Sequence, residues 1–179
     1  MATLFTTVYN RFLDKITDDM YMELSPYDTF KDLQHLLINA IPKFEFPRQS
    51  MDDYVIVKPT LTENPEKGDI SIGIPGTNSY LIDTSAFNIE LSAEEIDILA
   101  ILMKMGWIER QIASIEITRM KYSGPDFKMT SQANHLSKLL ALNNEVRRDS
   151  THMQRLYKRR KKNPKTGVYE STWALFRNE

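Results

Sequence analysis

The sequence predicts a mainly α protein: a helical bundle with a small β-hairpin insertion and an extended C-terminal arm. Three observations predict it. Apolar residues recur every three or four positions over much of residues 4–41 and again from Ser92 to about Lys161. Between Pro47 and about Asn88, prolines and glycines divide the chain into short β-branched and aromatic pieces. Beyond Asn163-Pro164 the chain is rich in large apolar groups but has no helical period. Residues 1–162 are therefore expected to form one helical domain with a β-rich insertion at about 47–88, and residues 163–179 an arm. A chain of 179 residues suits a single domain that buries its core without disulfide or metal staples.

The first helix follows from Phe5, Val8, Phe12 and Ile16 on one face, with Leu4 and Leu13 beside them and Thr3 placed as N-cap. The second begins at Ser25: Pro26 suits the first helical position, and Asp28 in the first turn favours the positive end of the dipole. Its stripe is Phe30, Leu33, Leu37, Ala40 and Ile41, and Pro42 ends it.

In the insertion, Tyr54–Val57 reads as a strand. Asp69–Ile74 alternates strictly and is followed by the turn Pro75-Gly76-Thr77-Asn78 and by Ser79–Ile82, which together read as a hairpin. Helix resumes at Ser92, where Ser92 and Glu95 have the spacing of a capping box. Ile96, Leu99, Leu102 and Met103 form its buried face, and Gly106 is read as a break before a further helix containing Ile108, Ile112 and Ile115. Ser123–Asp126 is a turn. A long helix then opens at Ser131–His135 and runs to about Lys161, with Ala133, Leu136, Leu139, Leu140, Val146, Met153, Leu156 and Tyr157 on its apolar face; Asn163-Pro164 stops it.

Composition narrows function. There are no cysteines, which removes disulfides, thiolate metal sites and a cysteine nucleophile. No apolar run reaches membrane-spanning length, and the first residues lack the basic-then-apolar order of a signal peptide. The protein is expected to act where it is synthesised, in a reducing cytoplasm. His35, His135 and His152 lie far apart and lack zinc-site spacing, and His135 is expected to cap or pack the long helix. The acidic pairs Asp18-Asp19, Asp52-Asp53 and Glu94-Glu95 do not converge by themselves, because adjacent side chains diverge; only the fold could bring carboxylates together for metal-assisted hydrolysis. No phosphate-binding glycine loop is present. The expectation is a non-enzyme with no catalytic residues, no metal site and no cofactor.

Charge is distributed unevenly. Residues 147–167 hold nine basic residues against Asp149 alone, eight net positive charges, so a chain of net charge −1 leaves its remainder strongly acidic. The basic run Arg155, Lys158, Arg159, Arg160, Lys161 and Lys162 admits three readings: a solvated helix end, contact with DNA phosphates, or docking on an acidic partner. Tyr169, Trp173 and Phe176 in the arm either fold back on the domain or anchor a partner, and the partner reading is preferred. These nine residues are the candidate partner-binding set.

Four segments carry a resemblance: Leu4–Leu13, Leu36–Phe44, Leu91–Ala100 and Phe127–Leu136, of which Ser131-Gln132-Ala133-Asn134-His135-Leu136 is the most specific. In this order, over roughly residues 1–150, the chain resembles head–tail connector (neck or adaptor ring) proteins of tailed bacteriophages, including ring proteins of crAss-like phages. The resemblance implies a virion structural protein in the neck region, synthesised in the host cytoplasm. It implies a homo-oligomeric ring, a dodecamer, that meets the portal and other neck or tail proteins, contacts genomic DNA nonspecifically and involves no membrane. It brings no active-site residues. The alternative is a DNA-binding protein that uses the basic C-terminal helix.

Overall fold

The structure, a computed structural model, describes residues 2–16, 21, 24–65, 71–121, 130–162, 167 and 169–171, with backbone alone at 118–121, 130–133, 161–162, 169 and 171. Among them four helices, α1 (Phe5–Leu13), α2 (Pro26–Ala40), α3 (Ala93–Lys121) and α4 (Thr130–Arg159), dominate. Eight short strands accompany them: β1 (Thr3–Leu4), β2 (Tyr54–Val55), β3 (Thr60–Thr62), β4 (Ser71–Gly73), β5 (Tyr80–Ile82), β6 (Ala86–Phe87), β7 (Arg160–Lys162) and β8 (Tyr169–Ser171). The fold is mixed α/β with helix in the majority, and the β part is larger than one hairpin. Two three-stranded antiparallel sheets form, in the orders β1-β6-β2 and β3-β5-β4. The expected hairpin is present as β4 and β5, with Ile72 opposite Leu81.

The core lies where α1, α2 and the first half of α3 meet. Phe5, Val8, Tyr9 and Phe12 from α1, Phe30 and Leu37 from α2, and Leu99, Met103 and Ile108 from α3 are all fully buried. Each such side chain contributes about 1.5–3 kcal/mol by leaving water. Phe87 of β6 joins this core, with its ring 4.7 Å from that of Phe5. Sheet β1-β6-β2 is thereby pinned to the helices through its central strand.

Local signals place two helix starts as the sequence indicates. Ser25 Oγ accepts from Asp28 N at 3.2 Å. At α3 the box is reciprocal: Glu95 Oε2 accepts from Ser92 N at 2.7 Å, and Ser92 Oγ accepts from Glu95 N at 3.4 Å. Thr3 is different. It lies in β1, its Oγ1 accepts from Leu91 N at 2.8 Å, and Leu4 holds the N-cap position of α1 without a side-chain cap. The pairing of Thr3 with Phe87 draws it into a sheet, which a local reading of capping residues cannot foresee.

Gly106 is not a break; α3 continues through it from Ala93 to Lys121. A helix-interior glycine costs about 1 kcal/mol relative to alanine. Burial of Met103, Met105 and Ile108 around it offsets that cost, and a Cβ at Gly106 would stand 3.6 Å from Leu36 of α2. The strand expected at Tyr54–Val57 is confined to Tyr54–Val55, and the long helix ends at Arg159. The described part of the C-terminal arm is a return strand and not an extension: β8 pairs antiparallel with β7, Lys162 opposite Tyr169. The turns at Ser123–Asp126 and Asn163-Pro164 lie outside the described residues.

A buried polar group ties the insertion to the helices. Gln34 Nε2 on α2 lies 3.0 Å from Asp83 Oδ2 and 3.1 Å from the Val57 carbonyl. Tyr9 of α1 donates to the same Asp83 oxygen at 3.1 Å, and Ser85 N donates to Asp83 Oδ1 at 2.9 Å. Burial first, and then the Asp83 carboxylate, push the Tyr9 phenol far above its ordinary pKa.

Candidate functional site

Helix α4 separates its side chains by face. Leu136, Val146, Ser150, Gln154 and Tyr157 are buried, at helical spacing, against the rest of the protein. Arg148, His152, Arg155 and Arg159 recur at the complementary spacing on the outward side, and all four are exposed. Arg148 and Arg155 form no ion pair with a described residue. Along this side runs an open groove of about 760 Å³ lined by Asn144, Arg147, Arg148, Asp149, Thr151, His152 and Arg155. A rigid helix thus presents guanidinium and imidazole groups with amide and hydroxyl donors between them, a surface suited to anionic oxygens.

The end of this helix is held by the segment after α2. Gln154 Oε1 accepts from Glu45 N at 2.7 Å, and the rings of Phe44 and Tyr157 pack edge to face at 5.4 Å. The Arg48 guanidinium lies 3.8 Å from the centre of the Tyr157 ring and donates to the Tyr157 carbonyl at 3.1 Å. The Lys158 ammonium sits 3.9 Å over the Phe46 ring. The Tyr157 hydroxyl donates to Glu95, and burial, followed by that carboxylate, raises its pKa above the ordinary tyrosine range. Arg160, the first residue of β7, pairs with Glu94. Glu94 and Glu95, adjacent in sequence, therefore have different partners.

The nine candidate residues are distributed as follows. Arg155 and Arg159 lie on the outward face of α4; Lys158 covers Phe46; Arg160 reaches back to α3. Lys161 and Lys162 continue as β7, and Tyr169 stands opposite Lys162 in β8. Trp173 and Phe176 lie outside the described residues. Arg147, Arg148 and His152 also lie on α4 beside this groove and are not among the nine. The interval Arg148, His152, Arg155, Arg159 was the signal that places them on one face. His135, expected to cap or pack the long helix, is solvent-exposed on α4.

Among the described residues, no group of three or more His, Asp or Glu could hold a metal ion, and no helix is long and apolar enough to cross a membrane. No family model matches the chain, and comparisons with curated proteins and with solved structures found no match.

Proposed function

We propose that this chain is a virion structural protein of a tailed bacteriophage, a subunit of the head–tail connector or neck ring that joins the portal to the tail. The resemblance of residues 1–150 suggests the class. The observation that carries the reading is the two-faced α4: its inner side is fixed by Tyr157 and Gln154, and its outer side offers a row of cations. The rest of the chain is net acidic. A subunit with a basic surface and an acidic remainder has the two unlike patches that head-to-tail contacts require. Function on this reading is adhesive: the basic face docks on an acidic neighbour or portal, and the arm after residue 163 adds apolar contact. No cofactor or catalytic residue enters it.

The test is native mass spectrometry of the full chain and of a chain lacking residues 163–179, alone and with a portal protein. A ring-sized assembly, alone or on adding portal, supports the reading, and its loss on truncation assigns the arm to assembly. A monomer indifferent to portal overturns it. The groove between Arg147 and Arg155 favours one second reading, nonspecific DNA binding; that reading requires salt-sensitive binding of duplex DNA by the monomer.

A further inference from the structure

The sheet β3-β5-β4 ends in two edges that pair with no other strand among the described residues. Both outer strands are antiparallel to β5, so β3 and β4 run parallel to each other. Sheet edges are usually defended by charge, proline, a bulge or a covering segment, because their free N–H and C=O groups invite another strand. Here Thr60, Leu61 and Thr62 on one edge, and Ser71, Ile72 and Gly73 on the other, carry no charge at all.

Leu61, Leu81 and Ile72 stand level across the three strands and share one face. Leu81 is 7% exposed but Leu61 is 64% exposed, so the apolar row overhangs the core at the β3 edge. Val55 and Ile56, a few residues earlier, are half exposed as well.

We infer that these two edges join neighbouring copies of this chain, β4 of one copy pairing in parallel with β3 of the next. The inference rests on the ring reading and assigns the β-insertion its role there. Direction supports it. A copy carried round a ring without being flipped keeps its strand direction, so its β3 arrives parallel to its neighbour's β4; two-fold pairing of one edge with itself would stop at a dimer. Register supports it too. Within one copy Thr60 and Ser71 are both level with Ile82, and the same levels between copies set Ile72 of one beside Leu61 of the next, which completes the overhanging row. Three residues per edge make a weak contact singly, and closure holds each copy at both edges.

The experiment is native mass spectrometry of the full-length protein with one charge placed on each edge. Leu61→Lys blocks β3, with Thr60→Lys as a second variant should the first misfold. Gly73→Lys blocks β4, and it fits because a Cβ there meets the Tyr80 ring at an ordinary 3.7 Å. Circular dichroism confirms that each variant is folded. The expected result is an oligomeric wild type and monomers for either variant alone, because each lacks one of the two edges that closure needs. An oligomer that survives either variant overturns the inference and leaves the ring reading standing. A monomeric wild type overturns the inference; it overturns the ring reading also only if portal fails to assemble it.

Discussion

The Tyr157 hydroxyl, near the end of α4, donates a hydrogen bond to Glu95 in the first turn of α3. Glu95 is 4% exposed and Tyr157 is 2% exposed. The bond therefore joins the start of one long helix to the end of the other away from water. Glu95 also accepts from Ser92, so one carboxylate both caps α3 and fixes α4. Tyr157→Phe is expected to destabilise the protein by about 1–3 kcal/mol, the cost of leaving a buried partner short of a donor. Urea denaturation measures it, and an unchanged midpoint would show that the bond contributes nothing.

Tyr9, Tyr21 and Tyr157 all have phenols raised above the ordinary value, burial being the largest cause for each, followed by Asp83, Asp32 and Glu95 respectively. In the unfolded chain tyrosines ionise near pH 10. The folded state keeps its protons to higher pH, so the stability linked to these groups is whole below about pH 10 and is lost as pH rises beyond it. Ultraviolet titration should show these tyrosines ionising together with unfolding. In Tyr9→Phe the alkaline decline should be shallower; an identical slope would count against this account.

Asp32 shows the opposite sign. Burial pushes its carboxyl up, but the hydrogen bonds and charge of Arg110, joined by Tyr21, outweigh burial and hold it below its usual value. One of the Arg110 contacts, Nη2 to Oδ2, is 2.9 Å. A depressed carboxyl supports stability above its unfolded pKa of about 3.9, and that support is lost as pH falls through the lower folded value. Arg110→Ala should raise the Asp32 titration midpoint seen by carbon NMR. Because Arg110 is nearly half exposed, the stability change should be small.

Phe87→Ala is expected to cost about 3–5 kcal/mol, since it removes a fully buried ring that packs on Phe5 and on Tyr54. Calorimetry would show the lowered Tm. Hydrogen exchange should show β1 and β2 losing protection before α3, and uniform loss would mean that the sheet is not separately pinned.

The Ser25 and Ser92 caps and the β4–β5 hairpin were legible because each depends on residues within a dozen positions. The contacts of Thr3 with Leu91, Gln34 with Asp83 and Tyr157 with Glu95 span 88, 49 and 62 positions, and no local pattern announces them. Gly106 was misleading for a related reason: its propensity signals a break, while burial on both sides, a tertiary effect, overrides it. The basic charge of residues 147–162 was evident from composition. Its division into an outward row and an inward clasp depends on Phe44, Phe46 and Arg48, which lie more than a hundred positions away.

Helices α3 and α4 have 29 and 30 residues, whereas α2 has 15. At about 1.5 Å per residue, the pair outruns α2 by roughly 20 Å. Anchored by Glu95 and Tyr157 at one end, it has the proportions of a cantilever. A tilt of a few degrees at that anchor would sweep the far tip through roughly an ångström or more, given the same rise. Small adjustments at the clasp would thus be magnified along the helix pair.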